Sequence, residues 1–562
     1  MSFAQSGNAF DTGAAEPVAA PEENPFYPIL DSIVARLGDN LDHPELWPML
    51  ADAAAHDDVA MLRDLIAQVR PGQGGSVGKA LDVVAGVLHA LSVDRAEGLA
   101  ALSRLAANHA HCPMVAGAYF FVDRIGTPGR SADLSDRFCD APFIKFETLM
   151  DGTVAPCCSI WTQKRLGTLD GQTAEEIWNS PSSQQMRESI LDGSYRYCNK
   201  QRCTLIMEDQ LPRRDAVADP GLRAIIDAGQ TALDTPPRWL FLAHDVSCNL
   251  ACPSCRSEIL GASEAQEARF AKIEQQVFQP LLSAGGRVKI SLSGQGDPWS
   301  APHYRSILRY LADHELDVDL DLHTNALLMG EKRWQEYAGL DRYEALVNVS
   351  IDACTPWVYE VVRRPGKWEK LYPNLRFIAD KHDRGEFREF HLNATIQLDN
   401  FHEMPAFIDL AEELGADSFR MYMMQNTGGH IARDYARKNV GDVQHPLHRA
   451  FLETLRDPRL ADPRAHLYDV GTWRARALEA RLPTDALGAG YGFAALSDAI
   501  RDADGDDATI VALCAGGRTR LRGNVDLLLV EASALRRLGF EQQAEYRLRE
   551  REALGGEAVA LG

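Results

Sequence analysis

The chain has 562 residues, of which 45% are hydrophobic and 25% charged, proportions that exclude a mostly disordered polypeptide. At roughly 150 residues per domain it holds three or four modules. With 58 basic against 80 acidic side chains the net charge is −22, so phosphate backbones and anionic membranes repel it at long range, although a local basic pocket still accepts an anionic small molecule. No run approaches the roughly 18 to 20 apolar residues needed to cross a bilayer. The first 25 residues carry Asp11, Glu16, Glu22 and Glu23 and lack the basic start and apolar centre of a signal peptide. The expected location is the cytoplasm, with neither nucleic acid nor membrane as a partner. In that reducing compartment the eleven cysteines read as metal ligands or redox groups rather than disulfides.

In chain order, residues 1–30 read as a disordered leader rich in Ala, Gly, Pro and acid. A helical domain is expected over 31–130, with breaks at Pro71-Gly72 and Val93-Asp94. Met61, Leu62, Leu65 and Ile66 share one apolar helical face; Leu81, Val84, Val87 and Leu88 form the next. The array resembles tetratricopeptide-type repeats only loosely, and a plain helical domain fits equally well. A cysteine-bearing α+β module follows over 131–215. In it, Phe143–Leu149 and Thr153–Pro156 around Asp151-Gly152 predict a β-hairpin, and Thr173–Leu191 predicts a helix closed by Gly193. Across 235–430 six strands are expected: Trp239–His244, Val288–Ser293, Val318–His323, Leu346–Ile351, Glu389–Ile396 and Ser418–Met424. Helices such as Glu264–Leu282, His303–His314 and Met404–Leu414 alternate with them, so the fold class is α/β with a parallel sheet, doubly wound or curved into a partial barrel. Ligands on such sheets sit at the carboxyl ends of the strands, where Ser293, Thr324, Asn325, Asp352 and Gln397 gather. The region 440–562 reads as helical, with Leu527, Leu528, Leu529, Ala532, Leu535 and Leu538 on an apolar face and no evident chemistry; packing or partner binding is its expected work.

After the first of the six strands comes Asp245-Val246-Ser247-Cys248-Asn249-Leu250-Ala251-Cys252-Pro253-Ser254-Cys255-Arg256. Three thiols at Cys-x3-Cys-x2-Cys spacing suit three irons of a cubane and leave the fourth open to a ligand. The competing reading is a zinc knuckle completed by a residue such as His244, but zinc sites usually pair two Cys-x2-Cys arms or one such arm with histidines.

On these residues the chain resembles the radical S-adenosylmethionine (radical SAM) enzymes, whose defining loop follows the first strand of a partial barrel of six β/α units. Ser293-Gly294-Gln295-Gly296-Asp297-Pro298 is similar to the family's Gly-Gly-Glu-Pro-type turn. Thr324-Asn325-Ala326-Leu327-Leu328 is similar to its Thr-Asn-Gly-x-Leu stretch. Val349-Ser350-Ile351-Asp352-Ala353 and Arg363-Arg364-Pro365-Gly366 match fourth-unit patterns. Two positions depart from the pattern: Ser254 stands where an aromatic residue is common, and Asp297 where a glutamate is usual. The resemblance implies a TIM-like (β/α)6 partial barrel flanked by helical domains, and a 4Fe–4S cluster on Cys248, Cys252 and Cys255. It further implies S-adenosylmethionine held near Gly294, Gly296, Asp297, Asn325, Ser350, Asp352 and Gln397.

A second set, Cys139, Cys157, Cys158, Cys198 and Cys203, accompanies Leu166-Gly167-Thr168-Leu169 and Ile177-Trp178-Asn179-Ser180. It resembles a SPASM-type auxiliary module, which in the family usually follows the barrel and here precedes it. The likeness implies one further 4Fe–4S cluster on Cys139, Cys157, Cys198 and Cys203, with Cys158 replacing Cys157 or remaining free. A four-cysteine zinc site is the alternative. Cys112 and Cys514 read as buried apolar residues; Cys354, near the expected substrate, reads as packing, with donation of a hydrogen atom or a thiolate as the alternative. The implied activity is reductive cleavage of S-adenosylmethionine to a 5′-deoxyadenosyl radical that abstracts a substrate hydrogen. A flavodoxin- or ferredoxin-type protein would act as one-electron reductant. A peptide or protein is the leading substrate, a carbohydrate or other small molecule the next, and a non-catalytic zinc-braced interaction protein the alternative of a different class.

Overall fold

The computed structural model describes residues 26–55, 59–109, 111–283, 286–292, 294–426 and 432–556. The expected leader up to residue 25, Ser293 and residues 557–562 lie outside the described residues. Contacts divide the chain into two units: residues 1–143, 155–167 and 176–235, and residues 144–154, 168–175 and 236–562.

In the first unit, helix Phe26–Leu37 takes in residues that composition assigns to the leader. Helices Leu46–Ala54, Val59–Val69, Gly75–Ser92, Arg95–Asn108 and Pro113–Arg124 follow. The expected breaks appear: Arg70–Gly72 is a 3-10 turn, and Asp94 caps the next helix by accepting from the Glu97 amide. Leu81, Val84, Val87 and Leu88 are fully buried, as are Leu62, Leu65 and Ile66, but Met61 is 48% exposed. It lies one position off the buried stripe of its helix, so solvent takes it. This helical layer and the cysteine-bearing segment form one unit. The Lys200 ammonium meets the buried Asp42 carboxylate at 2.6 Å. The Arg124 guanidinium, fully buried, donates to the Ile206 and Met207 carbonyls at 2.9 and 2.8 Å.

Where one helix Thr173–Leu191 is expected, two form, Ala174–Trp178 and Pro181–Leu191. Pro181 lacks an amide hydrogen and pushes Ser180 out of the helical region (φ −59°, ψ 158°). Ser180 then becomes an N-cap whose hydroxyl accepts from the Ser183 amide at 3.2 Å and donates to the Leu166 carbonyl at 2.7 Å.

The second unit is built on a ten-stranded sheet. Its strands are β1 (Lys145–Leu149), β2 (Thr153–Ala155), β3 (Gly167–Thr168), β4 (Trp239–Ala243), β5 (Val288–Leu292), β6 (Val318–Thr324), β7 (Leu346–Ser350), β8 (Glu389–Ile396), β9 (Ser418–Met423) and β10 (Ala465–His466). The order is β10-β9-β8-β7-β6-β5-β4-β1-β2-β3, with β4 to β9 parallel and successive. All six strands expected in this run form. Two extensions were not visible in the sequence. β1 pairs in parallel with β4, and β10, from the tail read as wholly helical, pairs in parallel with β9. Phe143, expected in the hairpin, instead lies in the helical turn Ala141–Ile144. The helix expected over Glu264–Leu282 contains a π-helical turn at Glu274–Phe278.

Alternate residues of the parallel run are sealed beneath helices. Leu242, Ile290, Leu320, Val347, Leu392 and Met421 are all 0% exposed. Burying each such side chain stabilises the fold by about 1.5–3 kcal/mol. The opposite face carries Trp239, Phe241, Lys289, His323, Ser350, Asn393 and Arg420, all only half-buried. The tail packs on the same unit: Gln543 donates to Asp399 at 2.7 Å, and Tyr546 stacks on His402. Leu527, Leu528, Ala532 and Leu535 are buried as expected, whereas Leu529 and Leu538 are half-buried.

Ser180→Ala removes the cap between the two helices and is expected to destabilise the first unit by about 1 kcal/mol, seen as a lower urea midpoint.

Candidate cluster and cofactor site

β4 ends at Ala243 and the chain leaves the sheet in a loop held by its own backbone. The Asp245 amide donates to the Tyr304 hydroxyl at 2.8 Å, and the Asp245 carboxylate accepts from the Ser247 amide at 2.9 Å. The Cys248 amide bonds the Leu260 carbonyl at 3.0 Å, the Ala251 amide bonds Arg364 at 2.8 Å, and the Cys255 amide turns back to Cys252 at 2.8 Å. Cys248 and Cys252 are buried while Cys255 is exposed.

Each sulfur faces an N–H donor. Asn325 Nδ2 lies 3.7 Å from Cys248 Sγ, Arg363 Nη1 3.8 Å from Cys252 Sγ and Arg256 Nε 3.4 Å from Cys255 Sγ. Burial pushes the Cys248 thiol up to about 11, helped by the Asp297 carboxylate, and burial also raises Cys252. A metal binding here therefore displaces protons. The two guanidiniums lie where they offset the thiolate charge that results.

The loops after the next strands pack against this one. A Cβ on Gly296 would stand 2.5 Å from the Asp245 carbonyl oxygen and 2.8 Å from that of Ser247, and one on Gly294 would meet the Phe241 ring at 2.9 Å. The glycines thus serve the close approach of protein to protein. Asp297, expected near the cofactor, spends its carboxylate on neighbouring loops. It accepts from the Thr324 hydroxyl and Asn325 amide at 2.8 Å and from the Trp299 and Ser300 amides at 3.0 and 3.2 Å. Asp352 is similarly engaged, accepting from the Thr395 amide at 2.7 Å and facing Arg363 Nε at 2.8 Å, on a left-handed backbone (φ 56°). Ala326 also adopts φ 60° where the resembling pattern has glycine. Ser350 closes β7, half-buried. Asn325 bridges Cys248 and Asn249, the latter at 2.9 Å.

Gln397 differs from these. It is 1% exposed, yet neither atom of its side-chain amide has a partner among the described residues, and the same holds for the buried Ser247 hydroxyl. Buried polar atoms are normally bonded, so unbonded ones mark where a ligand's groups belong. Three thiols faced by N–H donors, with an unsatisfied amide among the strand-end residues, fit a 4Fe–4S cluster and an amino-acid-bearing cosubstrate. His244 does not join the thiols as a zinc ligand. Its Nδ1 bonds the Thr148 hydroxyl at 2.8 Å, and its ring packs among Phe270, His303 and Tyr304.

Sequence reasoning did not single out Arg256 or Arg363 as side chains toward the sulfurs, although Arg256 follows the third cysteine directly and Arg363 stands in a quoted motif. Cys354, the leftover thiol past β7, donates its amide to the Glu403 carboxylate at 2.8 Å. Burial pushes that carboxyl up to about 7 and raises the thiol well above its ordinary range.

In the first unit, Cys139, Cys157, Cys198 and Cys203 line a cavity of about 30 Å³ together with Trp161, Met186 and Tyr195. Burial pushes Cys203 up to about 11 and raises Cys139 and Cys198. Cys158 is not among the lining residues. One zinc ion would draw its sulfurs to within about 3.8 Å of each other, given Zn–S bonds near 2.3 Å. Among the described residues no three Cys, His, Asp or Glu side chains converge on a single metal position. The four thiols line one space and are a donor set that an iron–sulfur cluster accepts.

Gly296→Ala is expected to push the three-cysteine loop aside and lower iron content after anaerobic reconstitution from about eight to about four per chain, the auxiliary site being spared. Iron analysis of the variant checks this.

Residues 139–204 match the SPASM family, described as an iron–sulfur cluster-binding domain. The AdoMet-dependent heme synthase of Methanosarcina barkeri is 28% identical over 200 residues, 35% of this chain and 53% of that protein. The PqqA peptide cyclase of Methylorubrum extorquens is 28% identical over 189 residues, 32% of this chain and 44% of that protein. The chain thus spans about half the length of the curated relatives it matches. Streptococcus suis SuiB, solved bound to precursor peptide SuiA, aligns over 52% of this chain and 63% of its own at 14% identity, with a TM-score of 0.31. The SPASM match and the two curated relatives support a radical S-adenosylmethionine enzyme with a SPASM-type module, using 4Fe–4S clusters and S-adenosylmethionine as cofactors.

Proposed function

We propose that the chain is a radical SAM enzyme acting on a peptide or protein, on a parallel sheet that curves as a partial (β/α)6 barrel. The observation that carries this reading is the loop after β4: three thiols at the family's spacing, each sulfur faced by an N–H donor. Cys248, Cys252 and Cys255 would hold a 4Fe–4S cluster, and Cys139, Cys157, Cys198 and Cys203 an auxiliary one. When bound, the first cluster would supply one electron for reductive cleavage of S-adenosylmethionine to methionine and a 5′-deoxyadenosyl radical able to take a hydrogen atom from the substrate.

The chain's own residues tune and position. Arg256, Arg363 and Asn325 direct N–H groups at the sulfurs, and such bonds set cluster potential. Gln397, with an unsatisfied amide, and Ser350, half-buried at the end of β7, receive polar groups of the cosubstrate. Asp297 and Asp352 act as positioning residues, fixing Asn325 and Arg363 respectively. Gly294 and Gly296 allow the turn to close on the cysteine loop. A cytoplasmic flavodoxin or ferredoxin would supply the electron, and an auxiliary cluster would take back an electron or orient the substrate.

A peptide substrate is supported by the likeness to PqqA peptide cyclase. A small-molecule substrate is the second reading, supported by the likeness to heme synthases. Replacing Cys248, Cys252 and Cys255 together with Ala is expected to abolish 5′-deoxyadenosine formation; wild-type yield in that variant, or colourless zinc in place of iron in the purified chain, overturns the reading. Cys139→Ala is expected to leave cosubstrate cleavage largely intact while iron falls by about four per chain. Unchanged iron would remove Cys139 from the ligand set.

A further inference from the structure

One face of the run β4 to β9 is apolar and sealed, and the other is polar and only partly buried. On the polar face His323, Asn348 and His391 are direct neighbours across β6, β7 and β8, while Ser350, Asn393 and Arg420 form another row across β7, β8 and β9. Most charges on this face are neutralised within it. Lys145 meets Glu147 at 2.6 Å, Lys289 meets Asp321 at 2.7 Å, and Arg388 meets Glu389 at 3.7 Å. Arg420 makes no ion pair among the described residues: its Nη1 donates to Asn348 Oδ1 at 2.8 Å, and its Nε is buried without an acceptor.

Removing a guanidinium from water without an anion is costly, and its planar fork of five donors matches a carboxylate. We propose that this polar face binds a carboxylate-bearing substrate, with Arg420 as the anchor for the anion and Asn348 orienting the guanidinium. The proposal deepens the radical SAM reading and rests on it for the identity of the neighbouring site. Arg420 lies two strands from Ser350 in one row, hence about 10 Å from the strand ends where the cosubstrate residues gather.

The charge balance favours a carboxylate over a phosphate. Burial holds His323 down to about 3, with Arg420, Lys145 and Lys289 acting in the same direction, and burial also lowers His391. Both imidazoles are therefore neutral near pH 7 and bring no charge, and both nitrogens of His391 are already bonded, to Ser418 and Glu389. Lys145 and Lys289 are already paired, so one uncompensated positive charge faces the ligand, enough for a monoanion and too little for a phosphate dianion.

The test uses the full, anaerobically reconstituted chain titrated calorimetrically with two monoanionic probes: butyrate, and acetyl-Ala-Glu-Ala-amide with its Gln counterpart as control. Saturable binding of butyrate alone points to a small acid, and binding of the Glu peptide alone to an acidic side chain of a peptide. Either supports the proposal if Arg420→Gln weakens it at least about tenfold and Arg420→Lys, which keeps the charge and loses the fork, falls between. Iron content and circular dichroism report whether the variants fold; should Arg420→Gln fail to, weakened binding by Arg420→Lys carries the test. No binding of either anion by the wild type, equal binding of the Gln peptide, or undiminished affinity in the variants overturns the proposal. The wild type's 5′-deoxyadenosine yield is measured separately, so a failed radical reading is distinguishable from a failed anion site.

Discussion

Parallel strands bring all their carboxyl ends to one edge, and that constraint organises the second unit. Because β4 to β9 run the same way and in sequence order, the three-cysteine loop, the Gly294–Asp297 turn, the Asn325 stretch, Asp352 and Gln397 all emerge together. The apolar face makes this edge rigid: its alternate residues are excluded from solvent from Leu242 through Met421. With that face closed by helices, chemistry is confined to the strand ends and the half-buried polar face.

Within that edge the polar residues divide into two kinds. Asp297 gathers four donors from two loops and Asp352 takes one amide and one guanidinium, so both carboxylates are consumed in holding loops together. Gln397 and Ser247 at the edge, and Arg420 on the polar face below it, are left with donors or acceptors unmatched among the described residues. Satisfied groups build the frame, and the proposed ligands would meet the unsatisfied ones. Asp352 holds a left-handed backbone that its neighbours enforce, and such strain tends to collect at working sites.

The module ahead of the sheet is divided by its contacts. Its hairpin strand β1 adds a parallel neighbour to β4 and places Lys145 and Glu147 beside Trp239 and Phe241. Its cysteines stay in the first unit, around one cavity whose wall combines Trp161, Met186 and Tyr195 with four thiols.

Local patterns were legible in the amino acids: six strands, the breaks at Pro71 and Val93, the buried stripe of Leu81, Val84, Val87 and Leu88, and the spacing of Cys248, Cys252 and Cys255. Each depends on neighbours a few residues apart, through side-chain periodicity, turn chemistry or ligand reach. Tertiary structure alone decided that Asp297 is used up, that Gln397 is not, that Arg363 turns toward Cys252, that β10 joins the sheet and that Arg420 pairs with no carboxylate among the described residues. Those outcomes depend on which groups from distant segments meet and on whether water is excluded where they do. Short-range spacing along the chain carries no record of either.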